Sequence, residues 1–325
     1  MKQFIGINPL SKKRLSQMAI ALLMLSTTIT PVFSQPVPTK QINPTHSIKA
    51  KTALNQDALS LQSQLKNALP AHVKQGEVFW LDLLLTESTT PITHVSFLGK
   101  TFPVFKQSNN HYTAVIPVPV AHPVGSYMVS LKHGPKATLT SQAVKVISAG
   151  YSKQNIKVSR SVGGIQPQAG ELATIGRLKR MTNPDKQWWD THFVSPTPDC
   201  MNSRFGNLRY HNGKFTGNYH KGIDLKSPLG RPVKAPTSGT VTIAKTFRLH
   251  GGTVGLDHGQ GLSSVYIHLS KILVKPGQHV KKGQVIGKVG STGFATGPHL
   301  HWGVYANGQP VNPIQWAPQI KSCYR

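Results

Sequence analysis

From Glu77 to Ser148 the chain is a series of short β-rich runs: "EVFWLDLLL", "ITHVSFLG", "KTFPVFKQ", "HYTAVIPVPV", "GSYMVSLKHG" and "SQAVKVIS". Gly, Pro and Asn split them. Runs this short leave no room for long helices or for helical crossovers, so the spacing predicts a small all-β sandwich over 71–148. The pattern returns after Cys200 in "GRPVKAPTSGTVTIAK", "GGTVGLDHG", "GLSSVYIHLS" and "VKKGQVIGKVGSTG", strands divided by Gly-rich turns. The expected fold class is all-β in two domains. Residues 35–70 read as a polar linker with a weak helical pattern in "DALSLQSQLKNAL". Residues 149–199 read as a connector, with a short helix in "GELATIGRLKRM" and two tryptophans in "DKQWWDTHFVSPTPD" that pack on a neighbouring domain.

Charge and leader set the context. The net charge is +27, from 37 Lys and Arg against 10 Asp and Glu. The basic residues form no block, which points to an anionic partner reached through the overall field. Nucleic acid and a polyanionic cell wall both qualify. Residues 1–34 decide between them. A basic stretch, "MKQFIGINPLSKKRLSQ", precedes the apolar "MAIALLMLSTTI" and then "TPVFS", with Val32 at −3 and Ser34 at −1. That is a secretory signal peptide pattern, and its apolar run is too short to span a bilayer comfortably; an uncleaved membrane anchor is the less favoured alternative. No second apolar run of spanning length follows. The expected mature protein is exported, periplasmic or otherwise secreted or wall-associated, without stable membrane insertion and without nucleic acid as partner. In an oxidising compartment Cys200 and Cys323 are a candidate disulfide. They lack C-x-x-C spacing, and two cysteines alone cannot build a zinc site. The β-rich N-terminal segment carries no cluster of catalytic residue types and reads as a spacer or targeting module.

The chemistry lies in the C-terminal part. In "GPHLHWGVY" the alternation of a strand puts His299 and His301 on one face, with Leu300 and Trp302 on the other. Alone, such a pair is a solvated strand face or half of a metal site. Partners are available: His220 and Asp224 in "NYHKGIDLKSP", and His268 closing "SSVYIHLS". His211, His250, His258 and His279 are left unassigned. Two histidines and a carboxylate make a known catalytic zinc shell with an open position for water, whose pKa zinc lowers to about 7. Residues 200–325 hold sixteen Lys and Arg but only two acids, Asp224 and Asp257. A lone acid in so cationic a domain calls for a reason, and metal ligation or an ion pair with a surface lysine supplies one.

Three separated motifs, "SRFGNLRYHNGKFTGNYHKGIDLKSPLGRPVKAPTSGTV", "LDHGQGLSSVYIHLS" and "VKKGQVIGKVGSTGFATGPHLHWGVYANGQPVNP", resemble the lysostaphin-type zinc endopeptidases of peptidoglycan from roughly Asn202 to Pro313. The resemblance implies a C-terminal two-sheet antiparallel β catalytic domain of the duplicated hybrid motif type, over 200–318, with 319–325 as a tail. The preceding segment is similar to the immunoglobulin-like N-terminal domain that some members carry. Carried over position by position, the resemblance implies His220, Asp224 and His301 as ligands of one Zn2+. It places His268 and His299 beside the open position, as proton-transfer and oxyanion groups. All five residues are present, which argues against the inactive relatives that only bind the wall or activate other hydrolases. The Gly-rich hairpin also resembles biotin- and lipoyl-carrier barrels, but no modifiable lysine sits at its tip beside a methionine. The implied substrate is peptidoglycan. Its D-Ala to meso-diaminopimelate cross-link is the expected scissile bond, and a glycine bridge is the alternative.

Overall fold

The computed structural model describes residues 60–84, 91–108, 110–134, 137–184 and 187–324; the expected signal peptide and the first part of the expected linker lie outside them. Strands dominate, as the spacing of the runs requires. In the N-terminal half, one sheet has the order His72–Lys74, Ala137–Ile147, Gly125–His133, His94–Phe97, Lys100–Pro103. A second sheet has Val78–Leu84, His111–Pro117 and Phe105–Ser108. In Val78–Leu84, Phe79, Leu81 and Leu83 are buried while Asp82 and Leu84 are exposed, the two-residue period of a strand with one face on a core. Phe79 meets Phe97 edge to face at 5.3 Å across that core. The described part of the expected linker is a helix over 60–68. It is docked rather than free: Leu65 is fully buried in the same core, and Gln62 Nε2 donates to the Ser141 carbonyl. One apolar side chain per helical turn was enough to seat it.

The C-terminal half is built on one large antiparallel sheet. Its strand order is Met201–Ser203, Ile223–Leu225, Leu300–Ala306, Leu262–Leu269, Gly251–Gly259, Gly239–Phe247, His279–Val280, with Gln309–Val311 paired on Leu300–Ala306. A small second sheet of Pro232–Lys234, Val285–Lys288 and Lys271–Ile272 packs against it. Gly251–Gly259 and Leu262–Leu269 are buried along their whole length, so both faces of the large sheet are covered there. Val233, Ile286, Leu300 and Trp302 belong to the larger core of this half. A second cluster joins Ile175 and Leu178, from the connector helix Glu171–Lys179, to Ile243, Phe247, Val265 and Tyr305. The helix lies very close: a Cβ at Gly255 would sit 2.5 Å from Leu178 Cδ2.

The connector is a structural part of the C-terminal half. Its strand Lys153–Ile156 pairs in parallel with Leu208–His211. Trp189 is buried and donates its ring N–H to the Gly259 carbonyl. The two halves are also joined directly. Gln315 holds both the N–H and the carbonyl of Val78, and Asn307 Nδ2 donates to the Val115 carbonyl at 2.7 Å. Trp80 meets Trp316 edge to face. The described residues fall in one compact unit.

Residues 319–324, set apart above as a tail, are tied down. Ile320 is buried, Met201 N–H donates to the Lys321 carbonyl, and Cys323 N–H donates to the Met201 carbonyl. Cys200 and Cys323 are disulfide-bonded across a sequence separation of 123. A loop of that length contributes roughly 5 kcal/mol in the chain-entropy picture. Reduction, or Cys323→Ser, is therefore expected to lower unfolding stability by several kcal/mol, read from denaturant midpoints with and without reductant. An unchanged midpoint would show that the staple contributes nothing.

Candidate functional site

Backbone register brings the first two groups together. In the antiparallel pairing of Ile223–Leu225 with Leu300–Ala306, Asp224 stands opposite His301. Asp224 Oδ1 lies 2.8 Å from His301 Nδ1. Gly222 lets the imidazole in: a Cβ there would be 2.8 Å from His301 Nε2. His220, four residues before Asp224, closes the triangle, its Nε2 3.0 Å from Asp224 Oδ1 and 2.9 Å from His301 Nδ1.

Protons alone do not satisfy this triangle. His220 Nδ1 is 2.9 Å from the Arg204 carbonyl, which only accepts, so Nδ1 carries the hydrogen and Nε2 presents a lone pair. That lone pair faces a carboxylate oxygen. A proton on His301 Nδ1 would serve one contact and leave the other acceptors opposed. A cation bound to all three lone pairs relieves the triangle at once, and two imidazoles with one carboxylate suit zinc. Among the described residues, His220, Asp224 and His301 are the grouping whose ligand atoms could hold a metal ion. Ionisation agrees with this. Burial pushes the Asp224 carboxyl up, but its contacts with His220 and then His301 outweigh it and hold the group well below the usual carboxylate range. Burial draws His301 down to about 4 against the pull of Asp224, which leaves a neutral imidazole.

The other two predicted residues stand beside the triangle. The His268 and His299 rings are 4.8 Å apart, and His268 is 6.4 Å from His301. His268 Nδ1 donates to the Thr292 carbonyl and His299 Nδ1 to the Gly297 carbonyl, each at 2.8 Å. Both rings thus turn Nε2 away from those carbonyls. Burial, reinforced by the charges of His299 and His301, draws His268 down to about 3. His268 also occupies the left-handed backbone region, with φ of 64°, a costly conformation for a residue with a Cβ. Its N–H donates to the His250 carbonyl at 3.0 Å. Leu300 and Trp302 are fully buried on the far face of the strand. The five residues line one groove of about 890 Å³. No residue of 60–148 lines it among those described.

Three residues that sequence reasoning missed support these five. Arg209 donates to Asp224 Oδ2 at 3.2 Å and to Gln154 Oε1 at 2.6 Å, so the carboxylate is held on the side away from the triangle. Gln154 comes from the connector strand. Glu171, at the start of the connector helix, is fully buried. It accepts from the N–H groups of Gln168, Leu249 and His250 and, at 2.6 Å, from His250 Nδ1. Glu171 therefore fixes the turn whose His250 carbonyl fixes His268.

Comparison with known proteins relates the site to a family. Residues 218–313 match the model of peptidase family M23. The DD-carboxypeptidase/endopeptidase Mpg of Neisseria meningitidis is 43% identical over 117 residues, 36% of this chain and 27% of that protein. The peptidoglycan DD-endopeptidase ShyA of Vibrio cholerae is 44% identical over 96 residues, 30% of this chain and 22% of that protein. The chain thus spans about a quarter of the length of these curated relatives. A Pseudomonas aeruginosa structure described as an M23 peptidase superposes with a TM-score of 0.56 at 28% identity, covering 78% of this chain and 98% of the other. Fold and site define an antiparallel two-sheet β domain whose groove carries residues that could hold a metal ion. Residues 218–313, which hold His220, Asp224, His268, His299 and His301, are thus similar to peptidase family M23.

Two outcomes are expected. The wild type should hold one zinc per chain after desalting, measured by elemental analysis, and His220→Ala, Asp224→Ala and His301→Ala should each lose it. His268→Ala and His299→Ala should keep it; loss in His299→Ala with retention in His301→Ala would reverse the assignment of the strand pair. Glu171→Ala should destabilise the fold by roughly 2–4 kcal/mol, because it strips acceptors from buried N–H groups. A change under about 0.5 kcal/mol in denaturant unfolding would mean that the turn does not depend on this carboxylate.

Proposed function

We propose that the protein is an exported, zinc-dependent endopeptidase acting on the peptide cross-links of bacterial peptidoglycan, with the D-Ala to meso-diaminopimelate bond as its substrate. The observation that carries this reading is the pairing of His268 and His299, each with Nε2 turned away from its carbonyl partner, beside a three-point metal cradle in an open groove. Bound there, zinc would act as a Lewis acid that polarises the scissile carbonyl and acidifies a water. His220, Asp224 and His301 would hold it, with Arg209 steadying the carboxylate. One of His268 and His299 takes a proton from the attacking water. The other stabilises the oxyanion or protonates the departing amine. The names of the Neisseria and Vibrio relatives support a DD-peptidase activity. The leader pattern of residues 1–34 supports export, with the periplasm as the compartment, and the positive charge supports attraction to an anionic wall.

A non-catalytic wall-binding protein or hydrolase activator on the same fold is the competing reading. Incubation with purified sacculi, followed by mass spectrometry of the soluble muropeptides, separates the two. The zinc-loaded protein should release monomers from dimers at the D-Ala to diaminopimelate bond, a chelator should stop the release, and added zinc should restore it. His299→Ala and His268→Ala should each lower the rate by roughly two to four orders of magnitude with zinc retained. Binding to sacculi without any release would sink the peptidase reading in favour of the competitor.

A further inference from the structure

The groove contains cations that the proposed chemistry does not use. Lys179, the last residue of the connector helix, and Lys221, next to His220, both line it. Neither has an acidic partner among the described residues. Lys179 Nζ instead sits 4.2 Å from the centre of the Tyr305 ring, and Lys221 Nζ is 5.9 Å from the Tyr219 ring centre. Arg209, the third cation of the groove, is already bonded to Asp224 and Gln154. Asp224 is the one acid among the lining residues, and it is committed to the metal-binding triangle. The groove wall therefore has positive charge to spare and nothing of its own to neutralise it.

We infer that Lys179 and Lys221 form a subsite that binds a carboxylate of the substrate peptide as it lies across the metal cradle. The inference rests on the peptidase reading and adds a chemical requirement to it. Placing an ammonium in a half-buried groove costs solvation, and a ring face returns only part of that cost. An incoming carboxylate returns the rest, because a charge-assisted bond strengthens where water is thin. Burial pulls Lys179 down to about 8, so it is still largely charged at neutral pH. A peptide cross-link of the wall carries such a group, since diamino-acid stems keep free carboxylates beside the bond that joins them. The helix is held where the subsite needs it. Glu171 locks its first turn to the His250 loop, and Ile175 and Leu178 seat its middle on the large sheet.

The test uses the full zinc-loaded chain and two synthetic cross-linked stem-peptide dimers, one with free carboxylates and one with every carboxylate converted to a carboxamide. The wild type should cleave the free acid with a kcat/KM about tenfold or more above that of the amide, the difference lying in KM. Lys179→Gln should lose most of that preference with zinc content and amide cleavage unchanged, and Lys179→Arg should recover part of it. Lys221→Gln should act in the same direction. Equal cleavage of both dimers by the wild type would overturn the subsite and leave the peptidase reading intact. So would a Lys179→Gln variant that loses the same factor on both dimers and melts earlier, since Lys179 would then serve only to pack on Tyr305. Cleavage of neither dimer would remove the peptidase reading and the subsite together.

Discussion

The register between Ile223–Leu225 and Leu300–Ala306 is the constraint on which the site depends. It sets Asp224 against His301, and with His220 it drives three lone pairs to within 3.0 Å of one another. Side chains alternate along a strand, so a slip of one residue would turn His299 and His301 into the core and bring Leu300 and Trp302 into the groove. Burial of Leu300 and Trp302 opposes that slip. The hydrophobic effect thus fixes a register in which the opposed acceptors of the site find no relief among themselves. Metal binding would relieve that conflict, which is the physical sense in which the fold is shaped for a cation.

Around this centre the chain builds support from distant segments. Arg209 steadies Asp224 from the strand Leu208–His211, and Gln154 steadies Arg209 from the connector. Glu171 holds the loop that holds the strained backbone of His268. The disulfide acts one strand further out. It fastens residues 319–324 to Met201–Ser203, and that strand pairs with the one carrying Asp224. The N-terminal β-domain is bonded to this half through Gln315 and Asn307, and none of its described residues lines the groove.

Much of this was legible in the sequence, for identifiable reasons. Short runs split by Gly and Pro foretold strands, and the H-x-H alternation foretold a shared face. Asp224 stood out because acids are scarce, and the three motifs tied five site residues to a family. What was not legible depends on non-local pairing. Gln154 reaches Arg209 only because Lys153–Ile156 adds in parallel to Leu208–His211, and nothing in either segment announces that partnership. Glu171 reaches His250 from 79 positions away. Reading 149–199 as a connector and 319–325 as a tail followed from their weak periodicity. Their roles come from single anchors such as Trp189, Ile320 and Glu171, which carry no local pattern.

X-ray absorption at the zinc edge, compared between the wild type and His301→Ala, tests the central claim most directly. The account predicts a light-atom shell near 2.0–2.1 Å with scattering from two imidazoles in the wild type, and no sulfur. In His301→Ala any residual zinc should show one imidazole or none. An unchanged spectrum in that variant, or a sulfur shell near about 2.3 Å, would contradict the account.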